Sequence, residues 1–135
     1  MKSALSLSNG RCISPGRAMG EALVSAVPMS FYGGVDARTG VVIEKGHPLE
    51  GRCVKDRILV FPSGKGSTVG SYVIYGLKKN GVAPAAIVNG ETETIVATGA
   101  ILAGIPCLDR VEVGQIRDGE RLIVDAERGT VQSAP

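Results

Sequence analysis

Residues 58–71 read Ile-Leu-Val-Phe-Pro-Ser-Gly-Lys-Gly-Ser-Thr-Val-Gly-Ser, and this stretch decides the fold class. Its first part, Ile58–Phe61, is a continuous apolar run closed by Pro62, which is typical of a strand covered on both faces. After a glycine-rich turn, Thr68–Asn80 places apolar residues at helical spacing and ends on two lysines followed by Asn-Gly, a common helix stop. The stretch therefore predicts a buried strand that passes through a tight turn into a helix.

The pattern continues along the chain beyond this helix. A short strand is predicted over Ala85–Val88, a second helix over Thr92–Ala103 and a third strand over Ile105–Cys107. Strands joined by helices in this way are parallel, with right-handed crossovers. Residues 58–107 therefore predict a strand–helix–strand–helix–strand block.

Short β-compatible pieces separated by turn signals lie on both sides of this block. No sustained helical period occurs before residue 62, and turns at Asp118-Gly119 and Arg128-Gly129 favour a hairpin or a pair of edge strands. The sequence predicts a mixed sheet in an α/β fold, with residues 1–135 forming a single domain. The predicted outer strands are Ala4–Leu7, Glu21–Ser25, Val41–Ile43, Val111–Val113, Arg121–Asp125 and Thr130–Gln132.

Composition and charge exclude several functional classes. The 135 residues include 15 Lys and Arg against 13 Asp and Glu, which gives a net charge of +2. This small excess of positive charge does not indicate binding to nucleic acid or to an anionic membrane. Aromatic residues are only 4%, so stacking surfaces for bases are scarce. No apolar run reaches the roughly 18 residues of a membrane span, and residues 1–5 lack the apolar core of a signal peptide. We therefore expect a cytoplasmic protein.

The three cysteines form no recognisable metal-ligand pattern. Cys12, Cys53 and Cys107 are widely separated, and no Cys-x-x-Cys pair occurs. The sequence thus lacks a zinc or iron–sulfur ligand set, and we predict no metal site in this chain. The three thiols are expected to be mostly buried and to behave as small apolar side chains.

The glycine-rich turn between the buried strand and the first helix carries the chemistry. Small residues there let backbone N–H groups point outward at the positive end of a helix dipole, a geometry that binds phosphate or carboxylate, and Lys65 adds a cation. The turn is not a P-loop, because Lys65 is followed by Gly66, and its glycine spacing does not fit the dinucleotide fingerprint. The alternative interpretation is a plain turn with Ser67 or Thr68 as an ordinary helix N-cap.

Here the sequence resembles a known family. The turn Gly64–Thr68 is similar to the Gly-Glu-Gly-Ser-Ser turn in the mobile swivel domain of aconitases. A fuller resemblance is to the small subunit of aconitase X-type hydro-lyases, and it rests on several blocks that occur in the same order. These blocks are Gly20–Val24, Ser30–Asp36, His47–Leu49, Lys65–Tyr72, Asn80–Ala85 and Gly99–Ile101.

The resemblance implies a swivelling β/β/α fold and a hydro-lyase subunit that is active only with a large aconitase-like subunit. In such a heterodimer the large subunit would hold a [4Fe–4S] cluster. The implied reaction removes water from (R)-5-phosphomevalonate to give trans-anhydromevalonate 5-phosphate, in a modified mevalonate pathway to isoprenoids. Two alternatives are dehydration of cis-3-hydroxy-L-proline, which has no phosphate, and a non-catalytic anion-binding or phosphocarrier swivel module.

The resemblance also implies a catalytic base. Chemistry alone does not choose between the two serines of the turn, Ser63 and Ser67. The first serine of the aconitase Ser-Ser pair is the base, which implies Ser67 as the proton acceptor, and its place at the predicted helix start suits a negative oxygen. We expect Ser63 to be a secondary polar contact. The residues expected to bind a small anionic substrate are Ser63, Gly64, Lys65, Gly66 and Thr68.

One position departs from the aconitase pattern. Aconitases follow their serine pair with an arginine that grips the substrate carboxylate, whereas this chain has Val69. The grip must then come from Lys65, from backbone amides or from the partner subunit.

Two further polar residues are predicted to have structural roles. His47, the single histidine, lies in a Gly-His-Pro turn and lacks the Thr-Ser-His setting of phosphohistidine swivel domains. We expect it to be first a structural turn residue, with a place on the rim of the site as the alternative. Asp36 is most simply explained as an Asx-turn residue.

Overall fold

Strand Ile58–Phe61 lies inside the main sheet, and all four of its side chains are buried. The computed structural model describes residues 4–135, so residues 1–3 of the N-terminal segment lie outside the described residues. Within residues 4–135 there are two α-helices, α1 (Gly70–Lys79) and α2 (Thr94–Ala103), and a short 3-10 helix, Val113–Gln115. The strands are β1 (Ser6–Leu7), β2 (Arg11–Ser14), β3 (Arg17–Val24), β4 (Met29–Ser30), β5 (Ile58–Phe61), β6 (Gly64–Lys65), β7 (Ala86–Asn89), β8 (Cys107–Asp109), β9 (Arg121–Asp125) and β10 (Thr130–Ser133).

The main sheet is mixed and combines a parallel centre with antiparallel flanks. Its eight strands lie in the order β1-β10-β9-β3-β5-β7-β8-β2 among the described residues. Strands β3, β5, β7 and β8 are parallel neighbours, whereas β2 pairs antiparallel with β8, and β9 with both β3 and β10. The predicted α/β fold with its strand–helix–strand–helix–strand block is confirmed.

Two apolar cores explain why β5 is buried on both faces. Successive side chains of a strand point to opposite faces, so Leu59 and Phe61 join the core under the two helices. Ile58 and Val60 join a second core, which the β9–β10 hairpin covers with residues such as Val124. The β9–β10 part of the sheet therefore packs on the face of β5 opposite the helices, which gives the β/β/α arrangement that the resemblance implies.

The helix layer is held together by a close crossing of α1 and α2. Gly99 of α2 faces Ile74 of α1, and a Cβ at position 99 would lie 2.8 Å from the Ile74 side chain. Glycine has a low helix propensity, but at position 99 it is required for this packing. No helix within residues 4–135 has the length and apolar character needed to cross a membrane.

Several element boundaries differ from the prediction. Helix α1 begins at Gly70 rather than Thr68, because the preceding residues form a tight turn with i to i+3 hydrogen bonds. The strand predicted at Val41–Ile43 is wrong: this segment makes only isolated bridges within a long irregular connection. The strand predicted at Val111–Val113 is also wrong, and β2 was not predicted because turn signals lie on both sides of it.

The prediction that the cysteines are mostly buried holds for one of them. Cys107 on β8 is buried, Cys53 is half-buried and Cys12 is exposed. Cys12 differs because β2 is an edge strand whose first half faces solvent. Burial raises the pKa of the Cys107 thiol to about 12, although a hydrogen bond with Thr92 acts in the opposite direction.

Candidate functional site

The glycine-rich turn runs from the end of β5 to the start of α1. Ser63 is half-buried and Gly64 buried, and the chain then becomes exposed from Lys65 to Val69. Within the turn, β6 pairs in parallel with β4, with Ser30 opposite Lys65. The structure therefore brings the predicted site residues together in one exposed turn, and it adds a neighbouring segment around Ser30.

Two of the glycines are required because neighbouring side chains lie too close to the turn to leave room for a Cβ atom. A Cβ at position 64 would lie 2.5 Å from the Val96 side chain, at the start of α2. Gly66 has a φ of +95°, and a Cβ there would lie 2.6 Å from the Ser30 hydroxyl oxygen. Because larger residues fit at neither position, the start of α2 and Ser30 fix the course of the turn.

Ser67 lies just before α1 and its side chain is exposed. Its hydroxyl oxygen accepts a hydrogen bond from the Val69 N–H at 3.2 Å, and its carbonyl accepts one from the Gly70 N–H at 2.9 Å. The N-cap of α1 is Val69 and receives no side-chain cap bond, so the alternative interpretation of Ser67 or Thr68 as the helix N-cap is wrong; the Ser67 hydroxyl instead closes the turn before the helix. The Val69 N–H favours a negative charge on the Ser67 oxygen.

Thr68 is placed beside Ser67 in the same exposed stretch. Its carbonyl oxygen accepts hydrogen bonds from the hydroxyl of Ser71, at 2.9 Å, and from the Ser71 N–H, at 3.2 Å. These bonds close the first turn before α1. They hold the backbone of residues 67–70 in one geometry.

An open cleft of about 400 Å³ lies beside the turn. One wall is formed by Lys65 and Gly66, and the other by the loop that follows β4 and by Glu44. The lining residues are Ser30, Tyr32, Gly33, Gly34, Glu44, Lys65 and Gly66. The cleft thus joins two segments that are far apart in sequence.

Lys65 is paired with Glu44 across this cleft. The Lys65 Nζ lies 3.7 Å from the Glu44 Oε2, and the side chains are 53% and 30% exposed, respectively. Ion pairs this exposed contribute little to stability, roughly 0–1 kcal/mol, and they exchange partners readily. The ammonium group is therefore held in the cleft by an interaction that a stronger anion can replace.

The loop after β4 is fixed from below by aromatic and backbone contacts. Phe31 is buried and its ring packs 6.0 Å from that of Phe61, at the end of β5. A Cβ on Gly34 would overlap the Ser30 carbonyl oxygen, so only glycine fits there. The carbonyl of Gly34 accepts hydrogen bonds from the N–H groups of Ile43, at 2.8 Å, and Glu44, at 3.3 Å. These contacts fix the backbone that carries the Glu44 carboxylate.

His47 has the structural role that the sequence predicts. Its ring is buried, Nδ1 accepts a hydrogen bond from the Leu49 N–H at 3.0 Å, and Nε2 lies 3.2 Å from the Pro28 carbonyl oxygen. A neutral imidazole protonated on Nε2 satisfies both contacts. Asp36 forms the predicted Asx turn, because its Oδ1 accepts a hydrogen bond from the Arg38 N–H at 2.9 Å.

A buried polar cluster supports the sheet near the site. The fully buried Asp109 receives two hydrogen bonds from Arg11, at 3.0 and 2.7 Å, and one from the Thr92 N–H at 2.8 Å. Burial by itself would raise the pKa of Asp109, but these hydrogen bonds outweigh it and the pKa lies below its ordinary value. Asn89 donates to the Phe61 carbonyl at 3.0 Å. The cluster ties edge strand β2 and the loop before α2 to the strand ends.

The described residues do not fit a metal or cluster site. Within residues 4–135 no three His, Cys, Asp or Glu side chains gather closely enough to hold a metal ion. The cysteines lie apart, on β2, in the loop before β5 and on β8.

The sequence predicted that the glycine-rich turn is part of the site, but it did not predict the opposite wall of the cleft. Ser30 and Gly34 lie in a block that supports the family resemblance, although no role in the site was predicted for either residue. Glu44 carries no local motif, and it joins the site only through the tertiary contact with Lys65.

Comparison with known proteins decides the family. The profile of the aconitase X swivel domain matches residues 7–133. The chain belongs to the aconitase X swivel-domain family.

Similar proteins and a solved structure agree with this membership in the aconitase X family. A protein of Thermococcus sibiricus named phosphomevalonate dehydratase small subunit is 60% identical over 90% of this chain and 94% of its own length. One of Methanocella arvoryzae with the same name is 58% identical over 91% of this chain and 96% of its own. The crystal structure of Thermococcus kodakaraensis aconitase X in its holo-form superposes with a TM-score of 0.94 at 52% identity, covering 97% of this chain and 99% of that one.

Proposed function

We propose that this chain is the small subunit of a phosphomevalonate dehydratase, a two-subunit hydro-lyase that converts (R)-5-phosphomevalonate to trans-anhydromevalonate 5-phosphate. The observation that carries this proposal is the 60% and 58% identity, over nearly the whole chain, to proteins named as that subunit. The reaction belongs to a modified mevalonate pathway in the cytoplasm.

In this proposal Ser67 takes a proton from the substrate carbon. A neutral hydroxyl is a very weak base, so the Ser67 hydroxyl first releases its proton to solvent, which reaches this exposed side chain, and the resulting alkoxide accepts the substrate proton. The Val69 N–H, which already donates to this oxygen at 3.2 Å, supports the anionic form. The exposed position of Ser67 leaves it open to a substrate held by another subunit.

The rest of the turn binds the anionic part of the substrate. Lys65 supplies a positive charge, and the backbone of Gly64, Gly66 and Thr68 follows a course that the packing behind it fixes. Ser63 lies at the foot of the turn and is half-buried, which suits a secondary polar contact. Val69 replaces the arginine of aconitases, so Lys65 is the one cationic side chain of residues 63–69.

The second half of the reaction depends on a large aconitase-like subunit. Loss of hydroxide requires a Lewis acid, and the described residues of this chain gather no ligand set for one. We assign the [4Fe–4S] cluster to that large subunit. The name small subunit, which the relatives carry, supports a partner of this kind.

The phosphocarrier alternative has little support from the environment of His47. A phosphorylated histidine needs a ring nitrogen that is free to react, whereas both nitrogens of His47 have partners and the ring is buried. Dehydration of cis-3-hydroxy-L-proline is left as an outcome of the experiment.

The test is to reconstitute the chain with the large subunit from the same genome and to assay both substrates. Turnover of (R)-5-phosphomevalonate supports the proposal. Turnover of cis-3-hydroxy-L-proline alone would replace it with the other dehydratase. In a separate incubation with phosphoenolpyruvate and a phosphate-donor enzyme, acid-labile phosphate that is incorporated into this chain and is lost when His47 is changed would point to a phosphocarrier.

A further inference from the structure

Glu44 is an acidic side chain placed in a cleft that is proposed to bind an anion. Its Oε2 lies 3.7 Å from the Lys65 Nζ, and both residues line the cleft beside the catalytic turn. A carboxylate at this place costs binding energy for any negatively charged substrate. Its presence therefore requires an explanation.

The two partners of this ion pair differ in how firmly they are held. The backbone of Glu44 is fixed by hydrogen bonds to Gly34, and its side chain is 30% exposed. Lys65 has a long flexible side chain that is 53% exposed. When an anion enters, the ammonium group is therefore free to move toward it, whereas the Glu44 carboxylate remains attached to a backbone that is held beside the cleft.

We propose that Glu44 is an affinity-tuning residue that lowers the affinity of the cleft for the substrate's anionic group by competing for Lys65. This inference rests on the proposed function. A phosphate carries nearly two negative charges and forms stronger charge-assisted hydrogen bonds than a single exposed carboxylate, so it displaces Glu44. The Glu44 carboxylate, which lines the same cleft, then repels the phosphate and weakens the binding of substrate and product alike.

Such a residue acts on binding rather than on the chemical step. The charge of the phosphate does not change between ground state and transition state, so an interaction with it affects both equally. Removing the charge of Glu44 should therefore change KM and leave kcat nearly constant.

The first experiment compares Glu44→Gln with wild type in the reconstituted two-subunit enzyme. We expect KM for (R)-5-phosphomevalonate to fall by about threefold to tenfold, the size of one unit charge acting at a partly exposed position. The difference should shrink in high salt, which screens exposed charges. A KM that is unchanged or higher, or a loss confined to kcat, would overturn the inference.

Glu50→Gln provides a matched control. Glu50 belongs to the same connection and is exposed, but it does not line the cleft, and its Oε1 accepts a hydrogen bond from the Gly46 N–H that glutamine can retain. We expect its KM to stay within twofold of wild type. An equal fall in KM for both variants would make the effect a general one of net charge and would contradict a role specific to Glu44.

The second experiment does not depend on the reaction. Inorganic phosphate is titrated into the full-length small subunit, and the backbone amide signals of Lys65 and Gly66 are followed by NMR. We expect tighter binding to Glu44→Gln than to wild type, and equal or absent binding in the two proteins overturns the inference. If the enzyme does not act on phosphomevalonate, the proposed function fails, and this titration still decides the role of Glu44.

Discussion

Replacing Arg11 by methionine leaves the buried carboxylate of Asp109 without its charged partner. Asp109 is fully buried and receives two hydrogen bonds from Arg11, so only the Thr92 N–H remains after the substitution. Breaking a fully buried ion pair costs about 3–5 kcal/mol. The Arg11 side chain is 42% exposed, which lets water approach. We therefore expect the free energy of unfolding at pH 7 to fall by about 2–3 kcal/mol.

The same reasoning predicts how this loss depends on pH. In the wild-type protein the pKa of Asp109 is lowered, so its contribution to stability is present above the unfolded pKa of about 4 and is lost as pH falls through the folded pKa. In Arg11→Met, burial dominates and raises the pKa of Asp109, which makes protonation favourable on folding. The stability difference between the two proteins should therefore be largest at neutral pH, and it should shrink as pH falls first through the raised pKa of Asp109 in the variant and then through the lowered pKa of Asp109 in wild type.

Urea unfolding followed by circular dichroism at pH 7 and pH 3.5 measures both effects. Arg128→Met is the control, because the Arg128–Asp125 pair is 3.9 Å long and the Arg128 side chain is 83% exposed. We expect this control to change the free energy of unfolding by less than about 0.5 kcal/mol. An equal loss in both variants, or a loss in Arg11→Met that does not vary with pH, would refute the reasoning.

Three further outcomes are expected. Lys65→Ala should raise KM more than it lowers kcat, because an exposed ammonium group that binds the substrate's anionic group would act on ground and transition states alike; a loss of kcat alone would contradict this. In the native protein, iodoacetamide should modify the exposed Cys12 far faster than Cys107, because Cys107 is buried and its thiol pKa is raised to about 12. Mass spectrometry measures the order of modification, and the reverse order would contradict the described burial. The isolated small subunit should show no dehydratase turnover, and turnover without partner or iron would contradict the two-subunit proposal.

The fold was predictable where apolar pattern and turn chemistry act locally. The run Ile58–Phe61 has no polar residue, and only a strand between two cores buries all of its side chains. The C-terminal helix ends were also predictable, because two lysines followed by Asn-Gly end α1 at Lys79, and Gly104 in a left-handed conformation ends α2 at Ala103. Both helices begin two residues later than predicted, at Gly70 and Thr94.

The missed elements depend on distant partners. Strand β2 is short and lies between turn signals, and it is held by pairing with β8 and by the Arg11–Asp109 bond across the chain. The segment Val41–Ile43 has β-compatible residues, yet its partners Val35 and Cys53 each supply a single bridge rather than a ladder. Neither outcome is encoded in the local pattern.

The site divides in the same way. The glycine-rich turn could be predicted because its residues lie in one short stretch, whereas the choice of Ser67 over Ser63 as the proton acceptor rests on the resemblance and stays a prediction. The opposite wall with Glu44 depends on the connection between β4 and β5, which has no regular secondary structure. The contact between Glu44 and Lys65 cannot be predicted from the local sequence, because it forms only in the folded chain.

The most direct test of the proposed function compares Ser67→Ala with Ser63→Ala in the reconstituted enzyme, assayed on (R)-5-phosphomevalonate. If Ser67 is the proton acceptor, Ser67→Ala should lower kcat by at least roughly 10²–10⁴-fold. It should still fold and bind the large subunit, apart from about 1 kcal/mol for the lost hydrogen bond with Val69. Ser63→Ala should retain most of the activity. Near-normal turnover in Ser67→Ala together with its loss in Ser63→Ala would contradict the assignment.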